Sequence, residues 1–394
     1  MTEPEPKTVT SAFLAPGAVD WRELVAENAA DKEQQAEARK ASDELRNVLL
    51  ASLQMQHLVI LAGSGCSQSA GGPSMLDLWN GAVGEEPTAK ARATAKKVNH
   101  DVTNNKNIEA FLSRVEAFLQ VDDNEAVSEF LNSSKQVILD RCSAFLDADK
   151  LGAHKIFLHR LSRRRVRDQR LRVFSTNYDL CFERAAAELG GVALDGFSFT
   201  APRRYDPRFF GYDIIRRPRS GDDLGHYLEG VFLLYKLHGS VNWARRQDGT
   251  IYEKDKPTPA EACLIYPATG KYQQSFVQPH LESMAQYLAA VREPNTCVLA
   301  VGFGFNDDHL AEPLLAAVQS NPHLRLIVAD PGSRTNETNG NRYWKQFFEL
   351  SSRVEDVWFI KASFGDFAKM VPDLKSLTPA DTLMKAIKGV TREP

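Results

Sequence analysis

The sequence predicts an α/β protein with a Rossmann-like, mainly parallel sheet and helices on both faces. Two observations predict this fold class. Short apolar runs typical of buried strands recur along the chain, and the segments between them are long enough for helical crossovers. These runs span residues 58–62, 173–176, 232–237, 297–301, 324–329 and 357–360. Polar or glycine-rich residues follow most of the runs, and the ends of parallel strands meet at one edge of a sheet, where ligands bind.

Composition narrows the class of protein. The 394 residues are 43% hydrophobic and 25% charged, which is typical of a folded globular chain. A net charge of −3 argues against a surface built as a whole to bind nucleic acid. The longest apolar runs are far shorter than the ~20 residues of a membrane helix, and the start MTEPEPK does not resemble a signal peptide. We therefore expect a soluble cytoplasmic protein with no membrane partner.

We divide the chain into three parts. Residues 1–56 form a leader and a helical arm, residues 57–375 the main domain, and residues 376–394 a C-terminal tail. Ala, Glu, Lys, Gln and Arg dominate from about residue 20 to 56, which predicts helix outside the core.

A helical insertion is predicted within the main domain, at about residues 85–165. Its apolar side chains recur at spacings of three and four, as in Ile108, Phe111, Leu112 and Val115. We expect the arm and the insertion to serve assembly more than chemistry, with packing of the arm on its own domain as the open alternative.

The five cysteines give no pattern for a metal site. They stand at positions 66, 142, 181, 263 and 297, and the closest two are 34 residues apart. Without a CxxC pair, the sequence predicts no structural zinc ribbon, and the odd count suits a reducing compartment.

The first strand end is glycine-rich. Residues Gly63–Pro73 follow the apolar run 58–62, and such a turn can expose backbone N–H groups to a phosphate. It is not a Walker loop, because no Gly-Lys-Ser/Thr follows. Taken alone, the pattern fits a simple strand–helix corner equally well.

Later strand ends add ionisable and amide side chains. They are Asn177 and Asp179 after the second run, His238 after the third, the loop Gly302–Asp307 after the fourth, and Asp330 after the fifth. Each alone has a structural explanation, such as an Asn/Asp turn or a core histidine. On one sheet edge, the combination predicts a dinucleotide crevice.

These motifs, in this order, resemble the NAD-binding and catalytic series of the sirtuins. The matching stretches are Ala62–Ser67 with Ala70–Pro73, Thr176–Asp179, Leu237–Gly239 and Gly302–Gly304. The chain most resembles the bacterial sirtuin-like proteins that pair with HerA ATPases in phage defence. That resemblance covers roughly residues 55–375 and adds Phe174–Leu180, Tyr235–Ser240, Leu264–Pro267 with Lys271–Tyr272, and Gly302–Phe305.

The resemblance implies hydrolysis of NAD, as substrate, to nicotinamide and ADP-ribose. It implies that Asn177 positions the water, that His238 acts as general base on a ribose hydroxyl or on the water, and that Asp179 orients the nicotinamide ribose or Asn177. The implied NAD-binding residues are Gly63, Ser64, Gly65 and Ser67 at the pyrophosphate, Ala70, Gly71, Pro73 and Thr176 beside them, Gly302 and Gly304 at the ribose, Asp330 at the adenosine ribose, and Ser363 with Phe364 at the adenine.

Two departures from the sirtuins shape the expected subtype. The missing CxxC pairs argue against a protein deacylase, and Ser74–Leu76 replaces the sirtuin Asp-Phe-Arg, so nicotinamide contacts are not inferred beyond Pro73. NAD-dependent deacylation, ADP-ribosyl transfer, and sensing of NAD or ADP-ribose remain alternatives. The presence of both Asn177 and His238 favours catalysis.

Partners are implied by the same family. It implies large homo-oligomers, with dodecameric rings as the form expected, docked on a hexameric HerA-type ATPase. Nucleic acid is a secondary candidate, because residues 159–172 contain seven arginines. The arginines that could extend this basic run are Arg203, Arg204, Arg216, Arg217 and Arg219.

Overall fold

The structure is a computed structural model that describes residues 11–24, 32–164, 168–217, 226–267, 275 and 277–373. Several parts of the sequence predictions lie outside these residues. They are the leader 1–10, part of the arm at 25–31, Arg165, Arg167 and Arg219, the pair Lys271–Tyr272, and the tail 376–394.

Fourteen strands and thirteen α-helices lie in the described part of the chain. The strands are β1 (Ala12–Leu14), β2 (Arg22–Glu23), β3 (His57–Ala62), β4 (Arg172–Ser175), β5 (Val192–Leu194), β6 (Ile215–Arg216), β7 (His226–Tyr227), β8 (Val231–Lys236), β9 (Gly239–Arg245), β10 (Ile251–Glu253), β11 (Ala262–Leu264), β12 (Thr296–Val301), β13 (Leu324–Ala329) and β14 (Val357–Lys361). The helices are α1 (Lys32–Leu53), α2 (Ser64–Gln68), α3 (Met75–Ala82), α4 (Ala89–Lys97), α5 (Ile108–Leu119), α6 (Glu125–Ala144), α7 (Gly152–Leu161), α8 (Cys181–Glu188), α9 (His280–Ala290), α10 (Asp308–Ser320), α11 (Ser333–Asn339), α12 (Arg342–Ser352) and α13 (Phe364–Met370).

Nine strands form the main sheet, in the order β2-β1-β14-β13-β12-β3-β4-β8-β5. The seven strands from β14 to β5 are parallel, and β1 and β2 are antiparallel. Small sheets β10-β9-β11 and β6-β7 lie apart from it. The chain runs from β3 outward to β4 and β8, then returns to β12 and continues outward through β13 and β14. The order therefore reverses between β3 and β12, which is the point where such sheets bind ligands.

The side chains of the central strands alternate between two helical layers. Leu58 and Ile60 of β3 pack in a core with α1, α7, α8 and α13, whereas Val59 and Leu61 pack in a core with α9, α10 and α12. Because both faces are covered, the strands are apolar throughout, as expected for a buried parallel sheet. The predicted α/β fold class is confirmed, and all six predicted strands are present.

The helix predicted in the N-terminal arm is present as α1, but the arm belongs to the main sheet and its core, so the predicted placement outside the core is wrong. β1 pairs with β14, and β2 pairs with β1. Phe13 is fully buried, and Leu45 and Leu49 of α1 join the same core. The prediction failed because β1 is only three residues long and its partner strand lies almost at the other end of the chain.

The helical insertion consists of α3 to α6, between β3 and β4. It has its own core, which includes Trp79, Phe111, Phe130 and Ile138. The insertion begins at Met75, earlier than the predicted residue 85, and α7 does not belong to it. Phe157 of α7 packs in the core beneath the sheet.

Arginines of the basic run mostly hold the fold together. Arg160 donates to the carbonyls of Ala368 and Lys369 at the end of α13, at 3.0 and 2.6 Å. Arg164 donates to Leu53 O at 2.9 Å, and Arg170 forms a two-point ion pair with Asp213, at 2.7 and 2.9 Å. These contacts offer a structural reason for the run that does not involve nucleic acid.

No helix among the residues that the structure describes is long and apolar enough to cross a membrane.

We predict that Phe13→Ala destabilises the domain by about 3–5 kcal/mol, because the change leaves a cavity beneath β1 where the ring stacks near Trp358, with centroids 6.2 Å apart. Denaturant unfolding monitored by circular dichroism measures it. Val19→Ala is the matched control, since Val19 is 88% exposed and its truncation should stay within about 0.5 kcal/mol. Equal midpoints for the two variants would contradict the placement of β1.

Candidate active site

A cavity opens at the switch point of the sheet. It has about 890 Å³ of unfilled space, part of it open to solvent. Of the predicted site residues, the cavity is lined by Gly63, Ser64, Ser67, Pro73, Thr176, Asn177, Asp179, His238, Gly302 and Gly304. The structure therefore brings together the ends of β3, β4, β8 and β12 in one place.

The glycines at the ends of β3 and β12 allow two loops to touch backbone to backbone. A Cβ on Gly63 would lie 2.4 Å from Gly302 O, and one on Gly65 would lie 2.7 Å from Gly302 Cα. Gly302 itself has φ +56°, a conformation that favours glycine. Gly65 N donates to Gly302 O at 3.0 Å. These glycines therefore serve close loop packing, and Gly65 does not line the cavity.

A buried hydrogen-bond network holds Asn177. Its Nδ2 donates to Gly63 O at 2.9 Å and to Ser67 Oγ at 2.7 Å. Ser67 Oγ in turn donates to Asp179 Oδ2 at 2.5 Å, and Asp179 Oδ1 accepts from Cys181 N at 3.0 Å. Of the two roles considered for Asp179, this contact supports orientation of Asn177. Ser67 belongs to the same network and also lines the cavity, and its expected role at the pyrophosphate stays a prediction.

The network fixes which way the Asn177 amide points. Ser67 gives its hydroxyl proton to a carboxylate, and Gly63 offers only a carbonyl, so both atoms must accept from the Asn177 NH₂ group. The carbonyl oxygen Oδ1 of Asn177 is then the atom that a molecule in the cavity can meet. It is a hydrogen-bond acceptor suited to a water or a hydroxyl.

Lys236 contributes a buried cation next to this network. Its side chain is 1% exposed, its Nζ donates to Asp179 O, and it lies 3.5 Å from Glu183 Oε1. Burial raises the pKa of Glu183, and the Lys236 charge opposes that rise. The ammonium thus ties the Asn177–Asp179 loop to α8.

His238 lies in the sharp turn between β8 and β9. Its carbonyl accepts from Ile265 N at 2.9 Å, and the next residue, Gly239, has φ +82°. A Cβ on Gly239 would lie 2.1 Å from Cys263 O, so no other residue fits there. The turn holds the imidazole, 2% exposed, at the cavity wall.

Sequence reasoning missed the residue that His238 contacts. His238 Nε2 lies 3.1 Å from His309 Nε2, and His309 is 3% exposed in the first turn of α10. Asp307, at the start of that helix, contributes a carboxylate oxygen within 4.8 Å of a ring nitrogen of each histidine. The sequence signal that could have identified His309 was its spacing from Asp307, an Asp-x-His pattern after β12.

The insertion forms one wall of the cavity, and the expectation that it serves assembly more than chemistry stays a prediction. The wall residues are Met75, Leu78, Glu109, Cys142 and Phe145. Burial raises the pKa of Cys142 to about 12, which disfavours the thiolate form that acts as a nucleophile.

Six predicted binding residues do not line the cavity. Gly65 packs on Gly302, and Ala70 is buried in the core. Gly71 has φ +88° and shapes the turn after α2. Asp330 Oδ1 accepts from Gly332 N at 2.7 Å, an Asx turn after β13, and burial raises the pKa of its carboxyl.

The two residues expected at the adenine make contacts within the fold and do not line the cavity. Ser363 caps α13 by accepting from Asp366 N at 3.1 Å. Phe364 is 5% exposed, and its ring packs against His154 and Phe157 with centroids 4.8 and 5.2 Å apart. The Phe364 ring therefore lacks the exposure that stacking on a base would need.

One group of side chains in the described part of the chain has the arrangement of metal ligands. It is His238, Asp307 and His309. The five cysteines are buried and free.

One part of the chain is similar to a known protein family. Residues 171–348, from the start of β4 into α12, match the family model of the SIR2-like domain. No curated protein matches the chain.

Several solved structures are similar to the chain. A Sir2 homologue in complex with NAD is 13% identical, covers 82% of this chain and 91% of its own, and has a TM-score of 0.43. A Sir2 homologue mutant in complex with 2′-O-acetyl ADP ribose is 12% identical, covers 88% of this chain and 98% of its own, and has a TM-score of 0.42.

We predict that Lys236→Met destabilises the protein by about 3 kcal/mol, because it leaves Glu183 and the Asp179 carbonyl without their cationic partner. This value is at the lower end of the range for breaking a buried ion pair, because the Glu183 side chain is still 23% exposed. Denaturant unfolding measures it. The double variant Lys236→Met/Glu183→Gln should recover part of the loss, and additive losses would argue against the pairing.

Proposed function

We propose that the chain is an NAD glycohydrolase that cleaves NAD to nicotinamide and ADP-ribose. The observation that carries the proposal is the meeting of Asn177 and His238 in one cavity at the switch point of a parallel sheet. The match of residues 171–348 to the SIR2-like domain supports NAD as the ligand class, and both side chains lie within those residues.

The reaction breaks the bond between ribose C1′ and the nicotinamide nitrogen. The bonding electron pair goes to the ring nitrogen, so nicotinamide leaves as a neutral molecule and C1′ takes on oxocarbenium character. A water oxygen then bonds to C1′ and loses one proton. The protein must hold the ribose, admit a single water and accept that proton.

Asn177 is suited to position the water. Its amide hydrogens are engaged by Gly63 and Ser67, so its Oδ1 meets the cavity as an acceptor. When Oδ1 accepts a hydrogen bond from the water, a lone pair of the water oxygen is left free to point toward C1′. The buried Ser67–Asp179 pair holds the amide in that orientation, so little reorganisation accompanies the reaction.

His238 is suited to accept the proton, either directly from water or through a ribose hydroxyl. Imidazole titrates near neutral pH, which makes it an efficient general base there. It is almost fully buried at the cavity wall, and the turn around Gly239 fixes its position.

NAD-dependent deacylation or ADP-ribosyl transfer, and sensing of NAD or ADP-ribose without turnover, are the competing functions. The first two would deliver C1′ to an acyl oxygen or a protein side chain in place of water. Incubation with NAD, with and without an acetyl-lysine peptide, separates all of them by the products seen in chromatography.

We predict that Asn177→Ala and His238→Ala each lower the rate of NAD cleavage by about 100-fold or more, the scale of a positioned acid–base group. Nicotinamide release followed by chromatography measures it. Exposed residues outside the cavity provide the matched controls, Asn339→Ala and His323→Ala.

Unfolding midpoints show that each variant is folded before its rate is compared. Full turnover by a folded His238→Ala or Asn177→Ala protein would remove the assigned role. Binding of NAD without release of nicotinamide by the unaltered chain would favour the sensor.

We further propose a role in anti-phage defence by depletion of cellular NAD, as a homo-oligomer, dodecameric by family resemblance, with a HerA-type hexameric ATPase as partner. The sequence resemblance is the support for this assignment. Unrestrained NAD hydrolysis would be toxic, which gives such a partner a role as a gate.

A surface for self-association is supported by exposed apolar side chains near the small β6-β7 sheet. Phe199, Tyr212 and Ile215 are 59%, 55% and 56% exposed. Phe199 and Tyr212 both contact Phe209, with ring centroids 5.6 Å apart in each case. Exposed apolar residues that lie together are typical of protein contact surfaces.

We predict that Phe199→Asp combined with Ile215→Asp lowers the particle mass, because a buried unpaired carboxylate opposes association. Light scattering after size-exclusion chromatography measures it. Val121→Asp is the control, since Val121 is 86% exposed in the insertion, away from this surface. Equal masses for the two proteins would exclude the surface.

A further inference from the structure

We infer that His309 is a positioning residue that sets the tautomer of His238. It does so by accepting a hydrogen bond from Nε2–H of His238, which leaves Nδ1 of His238 as the basic nitrogen. This inference rests on the proposed function for the role of His238, but its structural content concerns the two histidines alone.

The two imidazoles point at each other. Their Nε2 atoms are 3.1 Å apart, whereas their ring centroids are 5.2 Å apart with the planes inclined by 32°. A centroid distance that exceeds the nitrogen distance by so much requires each ring to direct its Nε2 corner at the other ring. A distance of 3.1 Å is that of an ordinary N–H···N hydrogen bond.

Only one hydrogen fits between two such nitrogens. One imidazole must therefore donate and the other must accept, and the donor carries its proton on Nε2. If His238 were the acceptor, its Nε2 lone pair would be used by His309, and a neutral His238 would hold its proton on Nδ1 and lack a basic nitrogen. A His238 that works as a base must be the donor.

Backbone position fixes the contact between the two rings. His309 is the second residue of α10 and is 3% exposed, and His238 precedes β9 in a sharp turn and is 2% exposed. The direction of the hydrogen bond then follows from the role of His238 as the base.

Asp307 completes the arrangement. It occupies the N-cap position of α10 yet makes no capping hydrogen bond with its side chain, and its carboxylate lies near both imidazoles. When His238 takes a proton from water, the resulting imidazolium keeps its hydrogen bond to His309 and gains a nearby negative charge. His309 and Asp307 therefore both stabilise His238 after it has accepted the proton.

A metal ion held by the same three residues is the competing explanation. Nitrogen ligands bind zinc at about 2.0–2.1 Å, so both rings would point at a metal to one side of the line between them. The observed rings point nearly along that line. The geometry therefore favours a shared proton over a shared metal ion.

The test uses the full chain labelled with ¹⁵N-histidine. Two-bond ¹⁵N–¹H spectra report which ring nitrogen carries the proton, and the spectrum of His238→Ala assigns the His238 signals. We expect the proton of His238 on Nε2 in the unaltered protein and a mixture of Nε2–H and Nδ1–H forms in His309→Phe. A proton on Nδ1 of His238 in the unaltered protein would overturn the inference, whether or not the variant folds.

Steady-state kinetics provide the second readout. We expect His309→Phe to lower kcat for NAD roughly 100-fold with little change in KM, because the base loses its tautomer while the cavity keeps its shape. His309→Gln, whose amide oxygen can accept the same hydrogen bond, should restore part of the rate, and His323→Ala should match the unaltered protein. Equal losses for the Phe and Gln variants, or a change in KM alone, would reject the positioning role.

The outcomes separate this inference from the proposed function. If the tautomer is as expected but no nicotinamide is released, NAD hydrolysis is wrong and the histidine pair stands. If NAD is cleaved but the tautomer of His238 is the same in His309→Phe, the pair has no such role. One zinc ion per chain in elemental analysis, lost in His309→Phe, would replace the shared proton with a metal site.

Discussion

The close approach of the loops after β3 and β12 is the constraint on which the site depends. Gly63 and Gly65 meet Gly302 with no room for a side chain on any of them. This contact lies where the strand order reverses, and it holds the two loops together beyond the last paired residues, Ala62 and Val301. It also places Gly63 O where Asn177 can reach it, at 2.9 Å.

From that contact the polar network follows step by step. Asn177 needs two acceptors for its amide hydrogens, and the β3 loop supplies both through Gly63 and Ser67. Ser67 then needs an acceptor of its own, which Asp179 provides, and Lys236 holds the Asp179 backbone in place. Buried polar groups are costly unless each is satisfied, so the network rigidifies this side of the cavity. Because each member of the network has a fixed partner, the Asn177 amide is held in one orientation, with Oδ1 available to a molecule in the cavity.

The sequence was informative where a signal is local. Apolar runs located the central strands, and the residues directly after them included Asn177, Asp179 and His238, all of which line the cavity. It failed where the deciding contact joins distant segments. β1 needed a partner strand near the other end of the chain, and His309 lies 71 residues from His238. Phe364 and Asp330 lie outside the cavity, because a strand-end position alone does not distinguish a side chain facing the cavity from one used in the core or a turn.

The histidine pair shows why the cavity requires the whole sheet. His238 follows β8, and His309 follows β12, which are three positions apart in the sheet, or about 14 Å at ordinary strand spacing. Their imidazoles nevertheless meet at 3.1 Å, so each loop must extend over the ends of β3 and β4. Those are the strands that carry the Gly63 and Asn177 loops. The base and the water-orienting amide are therefore supported by four neighbouring strands, and a shift in any one of them would separate the two groups that the proposed reaction needs together.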